Sequence, residues 1–398
     1  MQDARFLQPG TAAFRAVAVA LFAVGLATFA VLYCVQPLMP LFAQTFGLSA
    51  AASSLALSAT TGLLAPMLLV AGSVSDAVGR KGLMIASIVS SAVLTLLLAA
   101  APSWGVLLGL RALQGITLSG LQAVAMAYLG EEVAPAAVGS AMGLFVAGSG
   151  LGGMLGRLFA GVAAGLGGWR AAVAGVGVVS LGAGLFVRRA LPPSRHFQPR
   201  ALGLRTSVAS LFGHLRDPVL RRLYALGLLV MGAFVTVYNY ITFRLLAPPY
   251  GLSQGVVGAV FLVYLVGIAS STWMGRLADR QGRGRVLRAG LVTALAGLAL
   301  MLARPLVLVT AGLALFTLGF FGAHAVASGW VSRRARSGKG QASALYLFSF
   351  YLGSTLVAPA AGLLWPGHAW AGVTAATACL LVVALVIAAT LPAEQAAT

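Results

Sequence analysis

Two short segments of the chain place an aspartate between glycines and follow it with a basic residue. The first is Gly72-Ser-Val-Ser-Asp76-Ala-Val-Gly79-Arg80-Lys81, and a second copy with Asp279 and Arg283 starts 203 residues later. A carboxylate near a helix end can pair with arginine or accept hydrogen bonds from a helix N-terminus, and such bonds can break when parts of a protein move. The glycines let neighbouring backbones approach closely. We interpret both copies as parts of a gate, with candidate residues Gly72, Asp76, Gly79, Arg80, Lys81, Asp279 and Arg283.

Two arginines, Arg111 and Arg157, lie inside long apolar stretches. An arginine inside a membrane costs about 2.5–3.5 kcal/mol even on a lenient insertion scale, so each needs a compensating role. On a helical wheel Gln122 shares the face of Arg111, with Gln114 beside it, and we expect this polar stripe to face a central cavity. Arg157 is expected either to contact a solute or to bond backbone carbonyls near a glycine-rich stretch.

Further polar and aromatic side chains in the apolar stretches are candidates for lining the same cavity. Rings with polar tips suit amphipathic small molecules, although packing is the alternative for each taken alone. The cluster Tyr238-Asn239-Tyr240 ranks highest because it brings three hydrogen-bonding groups together. The candidate cavity residues are Tyr33, Gln36, Arg111, Gln114, Gln122, Arg157, Tyr238, Asn239, Tyr240, Tyr264, His324 and Tyr346.

The composition defines the framework that must position these residues. Only 8% of the 398 residues are charged and 60% are hydrophobic, whereas about 25% of a soluble domain is charged. The basic residues occur in short clusters, without the continuous basic face that nucleic-acid binding requires. A helix needs about 20 apolar residues to cross a bilayer. The chain has twelve such runs, named span 1 to span 12: 15–36, 51–72, 82–101, 104–129, 137–163, 170–188, 220–245, 254–275, 286–303, 305–329, 340–364 and 369–391.

The distribution of lysine and arginine predicts the orientation of these spans. Of the 26 basic residues, 21 lie at the start of span 1 or before it, or in and immediately around the connections 2–3, 6–7, 8–9 and 10–11. An even number of spans separates these segments, so all of them share one side. The positive-inside rule therefore predicts a multi-pass protein of the bacterial inner membrane with both termini in the cytoplasm.

The chain also repeats itself over its whole length. Gly139, Gly152, Gly161 and Trp169 recur 201 residues later as Gly340, Gly353, Gly362 and Trp370. Together with the duplicated aspartate motif, this predicts an all-α membrane protein of two pseudo-symmetric six-helix bundles with parallel topology. The predicted bundles are 1–188 and 220–398. The linker between them, 189–219, contains an apolar helical face of Val208, Leu211, Phe212 and Leu215.

The repeat also places opposite charges at equivalent helix ends. Glu131 and Glu132 end span 4, and the second half has Ser332 and Arg333 at the same offset of 201. Pairs between these glutamates and Arg333 or Arg334 could close an inner gate, although solvated helix ends are an equal alternative. An exposed pair is worth only about 0–1 kcal/mol, so several would have to act together.

Few titratable groups are available for proton coupling, because no Asp or Glu lies well inside a span. His324 falls near the repeat equivalent of Gln122, at an offset of 202, and histidine can titrate near neutral pH. Its alternative role is that of a hydrogen-bonded interior histidine. His324 and Asp76 are the coupling candidates. Two arginines without a buried acid favour neutral, zwitterionic or anionic solutes over strongly cationic ones.

With these motifs the chain resembles the major facilitator superfamily over nearly its whole length. Arg111-Ala-Leu-Gln114-Gly115 and the glycine run from Gly148 to Gly156 are similar to motifs of its twelve-span drug:proton antiporter branch. Gly153 stands where that branch has a proline, so the motif leaves the direction of transport open. Cys34-Val-Gln-Pro-Leu-Met-Pro40 is similar to YnfM-type inner-membrane permeases. The resemblance implies alternating access, a latch of Asp76 and Arg80 in the outward-facing state, and helix packing through Gly148, Gly152, Gly153 and Gly156.

The sequence thus predicts a secondary transporter that exports a small organic solute, drug-like or sugar-like, in exchange for protons. A carrier of an anionic or neutral metabolite is the alternative, by import or facilitated diffusion, and so is a sensor with a transporter fold. Intramembrane proteases are excluded because neither Gly-x-Ser-Gly nor His-Glu-x-x-His occurs. We expect a monomer whose partners are the solute, protons and lipid, without metal, cofactor or nucleic acid.

Overall fold

The computed structural model describes residues 6–197, 211–335 and 337–392, and the named elements in these ranges are all helices. The all-helical prediction is therefore confirmed. Ten helical segments there are long and apolar enough to cross a membrane. One of them, Pro135–Ala190, contains both span 5 and span 6. Span 9 corresponds to the helix Arg283–Leu300, which is not one of these ten segments. Three arginines in its first turns leave it only a short apolar part.

The helices of the first half follow the predicted spans with small changes at their ends. Span 1 is interrupted, because Pro37 and Pro40 each lack a backbone donor. Ser49 and Ser103 cap spans 2 and 4, each accepting a hydrogen bond from a first-turn backbone N–H. The helices are Ala12–Tyr33, the 3₁₀ turn Gln36–Leu38, Met39–Phe46, Ala50–Val78, Arg80–Ala99, Trp104–Glu132 and Pro135–Ala190.

Spans 5 and 6 are joined by a turn of two residues inside the helix Pro135–Ala190. Gly167 and Gly168 leave helical geometry there, and Gly168 has φ 74° with ψ 177°. A side chain at this φ would strain the backbone, so glycine is required. Trp169 starts span 6, and its indole Nε1 donates to Thr45 Oγ1 at 3.1 Å, which ties the turn to span 1.

The second half repeats the architecture of the first. The motif glycines Gly79 and Gly282 end spans 2 and 8 with nearly the same backbone, at φ 98° and φ 91°. The duplicated motif therefore forms the same tight turn twice. The helices of this half are Pro218–Leu246, Gln254–Val260 with the 3₁₀ turn Phe261–Val263, Tyr264–Gln281, Arg283–Leu300, Leu306–Arg334, Lys339–Gly362 and Trp365–Ala389.

Close helix packing depends on the glycine run of span 5. A Cβ added at Gly148, Gly152 or Gly156 would lie 2.2–2.5 Å from the span 1 backbone, so any side chain would force the two helices apart. Gly153 differs, because its nearest neighbour is the Arg157 side chain at 3.2 Å rather than span 1. The repeat preserves this device, since a Cβ at Gly353 would lie 2.0 Å from the span 7 backbone.

The two aspartate motifs lie at the same end of the molecule. Ala51, at the start of span 2, is 2.9 Å from the Cβ position of Gly362, at the end of span 11. These helices are therefore antiparallel, and Asp76 lies at the end where span 11 begins. Asp279 is also there, because it contacts Arg333 just before that start. We call this end the motif end and the opposite one the far end.

Contacts between the halves are well developed from the middle of the helices to the far end. The hydroxyls of Thr61 and Thr355 are 2.8 Å apart. Gln254 Nε2 donates to the Pro37 carbonyl at 2.5 Å. Spans 5 and 8 touch backbone to backbone, because a Cβ at Gly161 would lie 2.5 Å from Gly258 Cα. The far end is thus closed by direct contact between the halves.

The predicted linker is described only at its two edges. Val208 lies outside the described residues, while 211–216 is helical. In this short helix Phe212 and Leu215 are exposed. An exposed apolar pair beside a membrane-spanning bundle is typical of a helix that lies in a lipid interface.

Candidate functional site

A buried polar cluster lies where the two halves meet. Gln36 sits in the 3₁₀ turn of span 1, where the two prolines end regular helix and turn its amide towards the second half. Its Nε2 donates to Asn239 Oδ1 at 2.7 Å, and its Oε1 accepts from Arg157 Nε at 2.5 Å. All three side chains are fully buried. One amide therefore links a cation of span 5 to span 7 across the interface.

The Arg157 guanidinium is held between aromatic rings from both halves. Its Cζ lies 4.1 Å from the ring centre of Tyr33 and 4.5 Å from that of Tyr264. Both distances are within the range of cation–π attraction. Nη1 donates to the carbonyl of Gly153 at 2.5 Å. The absence of a side chain at Gly153 leaves room for this guanidinium, which lies only 3.2 Å from the missing Cβ.

The structure corrects the position expected for Arg111 and Gln114. Arg111 is fully buried inside the first half, and its guanidinium donates to the carbonyls of Val31, Leu32 and Ala56 at 2.7–3.0 Å. The helix of span 1 ends at Tyr33, so its last carbonyls have no helical partner. Arg111 satisfies them. For Arg111 and Gln114 the prediction of a cavity-facing stripe is wrong, because these carbonyls attract the guanidinium into the bundle.

Gln114 supports Arg111 rather than the cavity. Its Oε1 accepts from Arg111 Nη1 at 2.7 Å, and its Nε2 donates to Thr95 Oγ1 at 2.8 Å. Gln122, about two turns further towards the motif end, behaves differently. It is half-buried and donates to the Tyr351 hydroxyl of the second half at 3.4 Å.

His324 lies among aromatic side chains of the second half. Its Nδ1 is 3.0 Å from the Tyr346 hydroxyl, and its ring centre is 4.5 Å from that of Phe350. The structure leaves it half-buried. It therefore has one polar partner and a partly accessible ring, an arrangement that either a coupling or a packing role could use.

The cluster Tyr238-Asn239-Tyr240 divides between two environments. The Tyr238 hydroxyl is 2.6 Å from Thr317 Oγ1, and the Tyr240 hydroxyl donates to the Ala358 carbonyl at 2.9 Å. These two bonds are made within the second half, and the Tyr240 side chain also reaches Ser54 of the first half. Asn239 faces the first half through its bond with Gln36.

At the motif end of the first half, Arg80 is bound by two carboxylates. Its Nη2 lies 2.6 Å from Asp76 and 2.7 Å from Glu131, and its Nη1 donates to Ser75 Oγ at 2.7 Å. Arg80 is 7% exposed. Of the other predicted gate residues here, Gly79 forms the turn, Lys81 follows in the next helix, and Gly72 lies one turn before Asp76 with open space around it.

The other gate candidates pair within their own region in this conformation. Glu132 accepts from the backbone N–H groups of Arg195 and His196 at 2.6 and 2.9 Å, and so holds the start of the linker. Asp279 binds Arg283 at 2.8 Å and Arg333 at 3.3 Å. The described ion pairs of the expected gate residues thus stay within one half or its linker, and the cross-half pairs are not formed among the described residues.

Arg334 has a partner that the sequence reading missed. Its Nε donates to Asp217 Oδ2 at 2.8 Å. Asp217 also caps the helix of span 7, accepting from the N–H groups of Val219 and Leu220. Partial desolvation raises the pKa of Asp217, but the hydrogen bonds from Arg334 and from these backbone groups outweigh it and lower this pKa below its usual value. The Asp-Pro pair before an apolar run is a helix-start signal that would have revealed the cap.

Taken together, the apolar helices and the two repeated halves define a multi-pass membrane protein of the transporter class, with polar groups buried between its halves. The family model of the Major Facilitator Superfamily matches residues 21–337, so the chain belongs to this superfamily and is a membrane transporter. The fold class read from the sequence, two six-helix bundles, is confirmed, as is the exclusion of an enzyme.

Similar proteins agree with this assignment. The chain is 45% identical over 380 residues to the uncharacterized MFS-type transporter YybF of Bacillus subtilis (strain 168), covering 96% of this chain and 94% of that protein. It is 45% identical over 386 residues to the inner membrane transport protein YnfM of Escherichia coli (strain K12), covering 97% and 93%. The resemblance to YnfM-type permeases is therefore confirmed.

A solved structure shows the same fold at low sequence identity. A bacterial homologue of the human lysosomal transporter Spinster, crystallised in an inward-facing and unoccupied conformation, aligns with a TM-score of 0.79 at 16% identity. The alignment covers 96% of each chain.

Proposed function

We propose that this protein is a secondary transporter that exports a small organic solute in exchange for protons, by alternating access between its two halves. One observation carries the proposal. The halves meet through buried polar groups from the middle to the far end, whereas the described ion pairs of the motif end are each made within one half. This is the arrangement of a carrier with one side shut and the other released.

The basic residues support an orientation in the membrane. Arg80, Arg283 and Arg333 lie at the motif end, together with most other lysines and arginines, so we propose that this end faces the cytoplasm of a bacterial cell. The conformation is then inward-facing. We propose the bundles 1–188 and 220–398, the linker 189–219, cytoplasmic termini and a monomeric carrier.

The gate residues are proposed to exchange partners when the motif end closes. Arg80, now bound to Asp76 and Glu131, sits at the turn that must move with span 2. The acids of span 4 and the bases Arg333 and Arg334 carry opposite charge on opposite halves. Closure would bring them together, and Asp76 with Arg80 would act as the latch.

Proton coupling is proposed for His324, with Asp76 as the second candidate. His324 is half-buried and bound to Tyr346, so a change in its protonation would change the bond that holds span 10 to span 11.

A carrier of an anionic or neutral metabolite is the second candidate, working by import or facilitated diffusion. The specific observation in its favour is the fully buried Arg157, which has no carboxylate within ion-pair distance among the described residues.

Flux measurements in proteoliposomes test these proposals. A panel of labelled neutral, anionic and cationic solutes is offered with and without an imposed pH gradient. Accumulation that requires the gradient supports proton antiport, and flux unaffected by the gradient supports facilitated diffusion. Binding without flux identifies a sensor and contradicts the transporter proposal.

The coupling residue is tested with His324→Gln, which keeps a hydrogen-bonding side chain beside Tyr346. We expect gradient-driven accumulation to be lost while solute exchange continues. The matched control is His368→Gln at the exposed far-end surface, which should leave accumulation unchanged. Full gradient dependence in His324→Gln would remove this residue from the coupling mechanism.

A further inference from the structure

The charge of Arg157 is not balanced by the protein. The ion pairs of the described residues all involve other side chains, and Arg157 is fully buried. A buried cation without a counter-ion is costly, because neither water nor a carboxylate offsets its lost hydration. The cation–π contacts with Tyr33 and Tyr264 offset only part of this cost, being worth about 2 kcal/mol each when desolvated.

Unused hydrogen-bonding groups lie around the same charge. Arg157 Nη2, Asn239 Nδ2 and the Tyr264 hydroxyl are all buried, and none makes a hydrogen bond of good geometry with the described residues, although Tyr264 lies close to the Arg157 guanidinium. They belong to one cluster, since Gln36 bonds both Arg157 and Asn239 and the Tyr264 ring covers the guanidinium. Buried polar groups are normally satisfied, so such a concentration indicates a missing partner.

The chemistry of these three groups defines that partner. A guanidinium, an amide nitrogen and a phenol can all donate, and the first two can only donate. A carboxylate accepts several hydrogen bonds and carries the compensating charge. A water molecule could satisfy the donors but would leave the charge unbalanced.

Arg111 shows that burial alone does not leave an arginine with an unused hydrogen-bond donor. It is equally buried and likewise forms no ion pair among the described residues, yet each nitrogen of its guanidinium donates to a carbonyl or to Gln114. Arg111 is therefore satisfied by the first half itself. Arg157, in contrast, has Nη2 without a hydrogen bond of good geometry, and its guanidinium lies against the Tyr264 ring of the second half.

We propose that Gln36, Arg157, Asn239 and Tyr264 form an anion cradle, which binds the carboxylate or another anionic group of the transported solute. The inference rests on the proposed transport function and names its substrate class. Tyr33 and Phe261, which also face the guanidinium, suit an apolar or aromatic body next to the anionic group.

The position of the cradle links binding to the conformational change. Gln36 and Arg157 belong to the first half, while Asn239 and Tyr264 belong to the second. An anion held by both halves stabilises the state in which they touch. When the halves separate at the far end, the cradle is divided and its grip on the anion is weakened.

Binding to the purified full-length protein tests the cradle without requiring flux. Benzoate, hexanoate and succinate are each compared with the corresponding amide by titration calorimetry. We expect at least one acid to bind ten-fold or more tightly than its amide. Hydrogen bonds to a charged group predict that Arg157→Met weakens this acid by about 10–100-fold and leaves the amide unchanged. The proposal is overturned when no acid is preferred, or when Arg157→Met keeps the preference.

A second variant protects the test from a folding failure of Arg157→Met. Asn239→Asp keeps the acceptor for Gln36 and adds a carboxylate to the cluster, separated from Arg157 by the Gln36 amide. We expect a higher melting temperature together with loss of acid binding, because the cradle then contains its own anion. Unchanged acid binding in Asn239→Asp would show that Arg157 has a structural role only.

The matched control is Arg304→Met, which removes an exposed arginine from the far end and should leave acid binding unchanged. Failure of the cradle and failure of the transport proposal remain distinguishable. Acid binding without flux in liposomes would contradict transport alone, whereas flux of neutral solutes without acid preference would contradict the cradle alone.

Discussion

At the motif end, the two halves of the molecule contain the same sequence pattern, but the residues around it carry opposite net charge. In the first half a cation is central, because Arg80 lies between Asp76 and Glu131. In the second half an anion is central, because Asp279 lies between Arg283 and Arg333. One triad is therefore net negative and the other net positive.

The difference arises outside the motif itself. The motif fixes the turn, as the similar backbone angles of Gly79 and Gly282 show. The third member of each triad comes from the end of the next helix pair, an acid in span 4 and a base in span 10. Duplication thus preserved the backbone, while the neighbouring helix ends acquired complementary charge.

Burial also separates the two triads. The central Arg80 side chain is 8% exposed, whereas the central Asp279 side chain is 57% exposed. Charge-assisted hydrogen bonds are strong when buried and weak when solvated. The first-half triad is therefore expected to contribute more to stability.

The largest expected effect is the loss of stability in Arg80→Gln. The change leaves Asp76 and Glu131 without their shared cation, and hydrogen bonds to charged groups contribute about 1.5–3 kcal/mol. Melting of the purified protein in detergent measures the effect. Its counterpart Asp279→Asn should cost less than about 1 kcal/mol because the site is exposed. Equal melting temperatures for the two variants would remove the distinction between the triads.

A smaller effect is expected for Asp76→Asn on the balance between the two transport states. The Asp76 side chain is 41% exposed, and a pair with one solvated partner is worth about 1 kcal/mol, so the ratio of states should shift up to about fivefold. Spectroscopic distances between labels at the motif end report the ratio, and proteoliposome flux reports the rate. If both quantities stay at their wild-type values, Asp76 is not a latch.

Smaller still is the expected rescue between the two triads. Glu131→Lys and Arg333→Glu should each slow transport, and the double variant should recover about twofold, because each exposed pair contributes only about half a kcal/mol. The control combines Glu131→Lys with Arg188→Glu, an exposed arginine of the same half, and should give no recovery. Absence of rescue with Arg333→Glu would contradict the cross-half gate.

The smallest effect concerns pH at the motif end of the second half. Since the folded pKa of Asp217 lies below its unfolded value, its contribution to stability is present above the ordinary aspartate pKa of about 3.9 and is lost as pH falls through the lowered value. The melting-temperature difference between wild type and Asp217→Asn should be constant from pH 5 to pH 8 and shrink below about pH 4. A difference that grows in acid would contradict this assignment.

The fold could be read from the sequence because its signals are local. Runs of about 20 apolar residues predict spans whatever their neighbours are, and the repeat predicts two equivalent halves. The turn glycines Gly79 and Gly282 are also a local signal, because a backbone with positive φ favours glycine whatever residues pack around it. The packing role of the span 5 glycines came instead from the resemblance to a family motif, and the close approach of Gly148, Gly152 and Gly156 to span 1 agrees with it.

The roles of the two arginines could not be read in this way. A helical wheel shows which residues share the face of Arg111, but not which neighbour that face meets. The interruption of span 1 after Tyr33 exposes carbonyls that draw Arg111 into the first half. The same interruption places Gln36 opposite Asn239 and beside Arg157.

The amino-acid sequence by itself determined the spans, the duplication and the positions of the charges along each helix. Only the tertiary structure decided which charges find a partner, and therefore which arginine is satisfied by its own half and which is left at the interface. The physical reason is that helix length and facing are set by contacts a few residues apart. Pairing depends on the rotation and crossing of helices that are far apart in the chain.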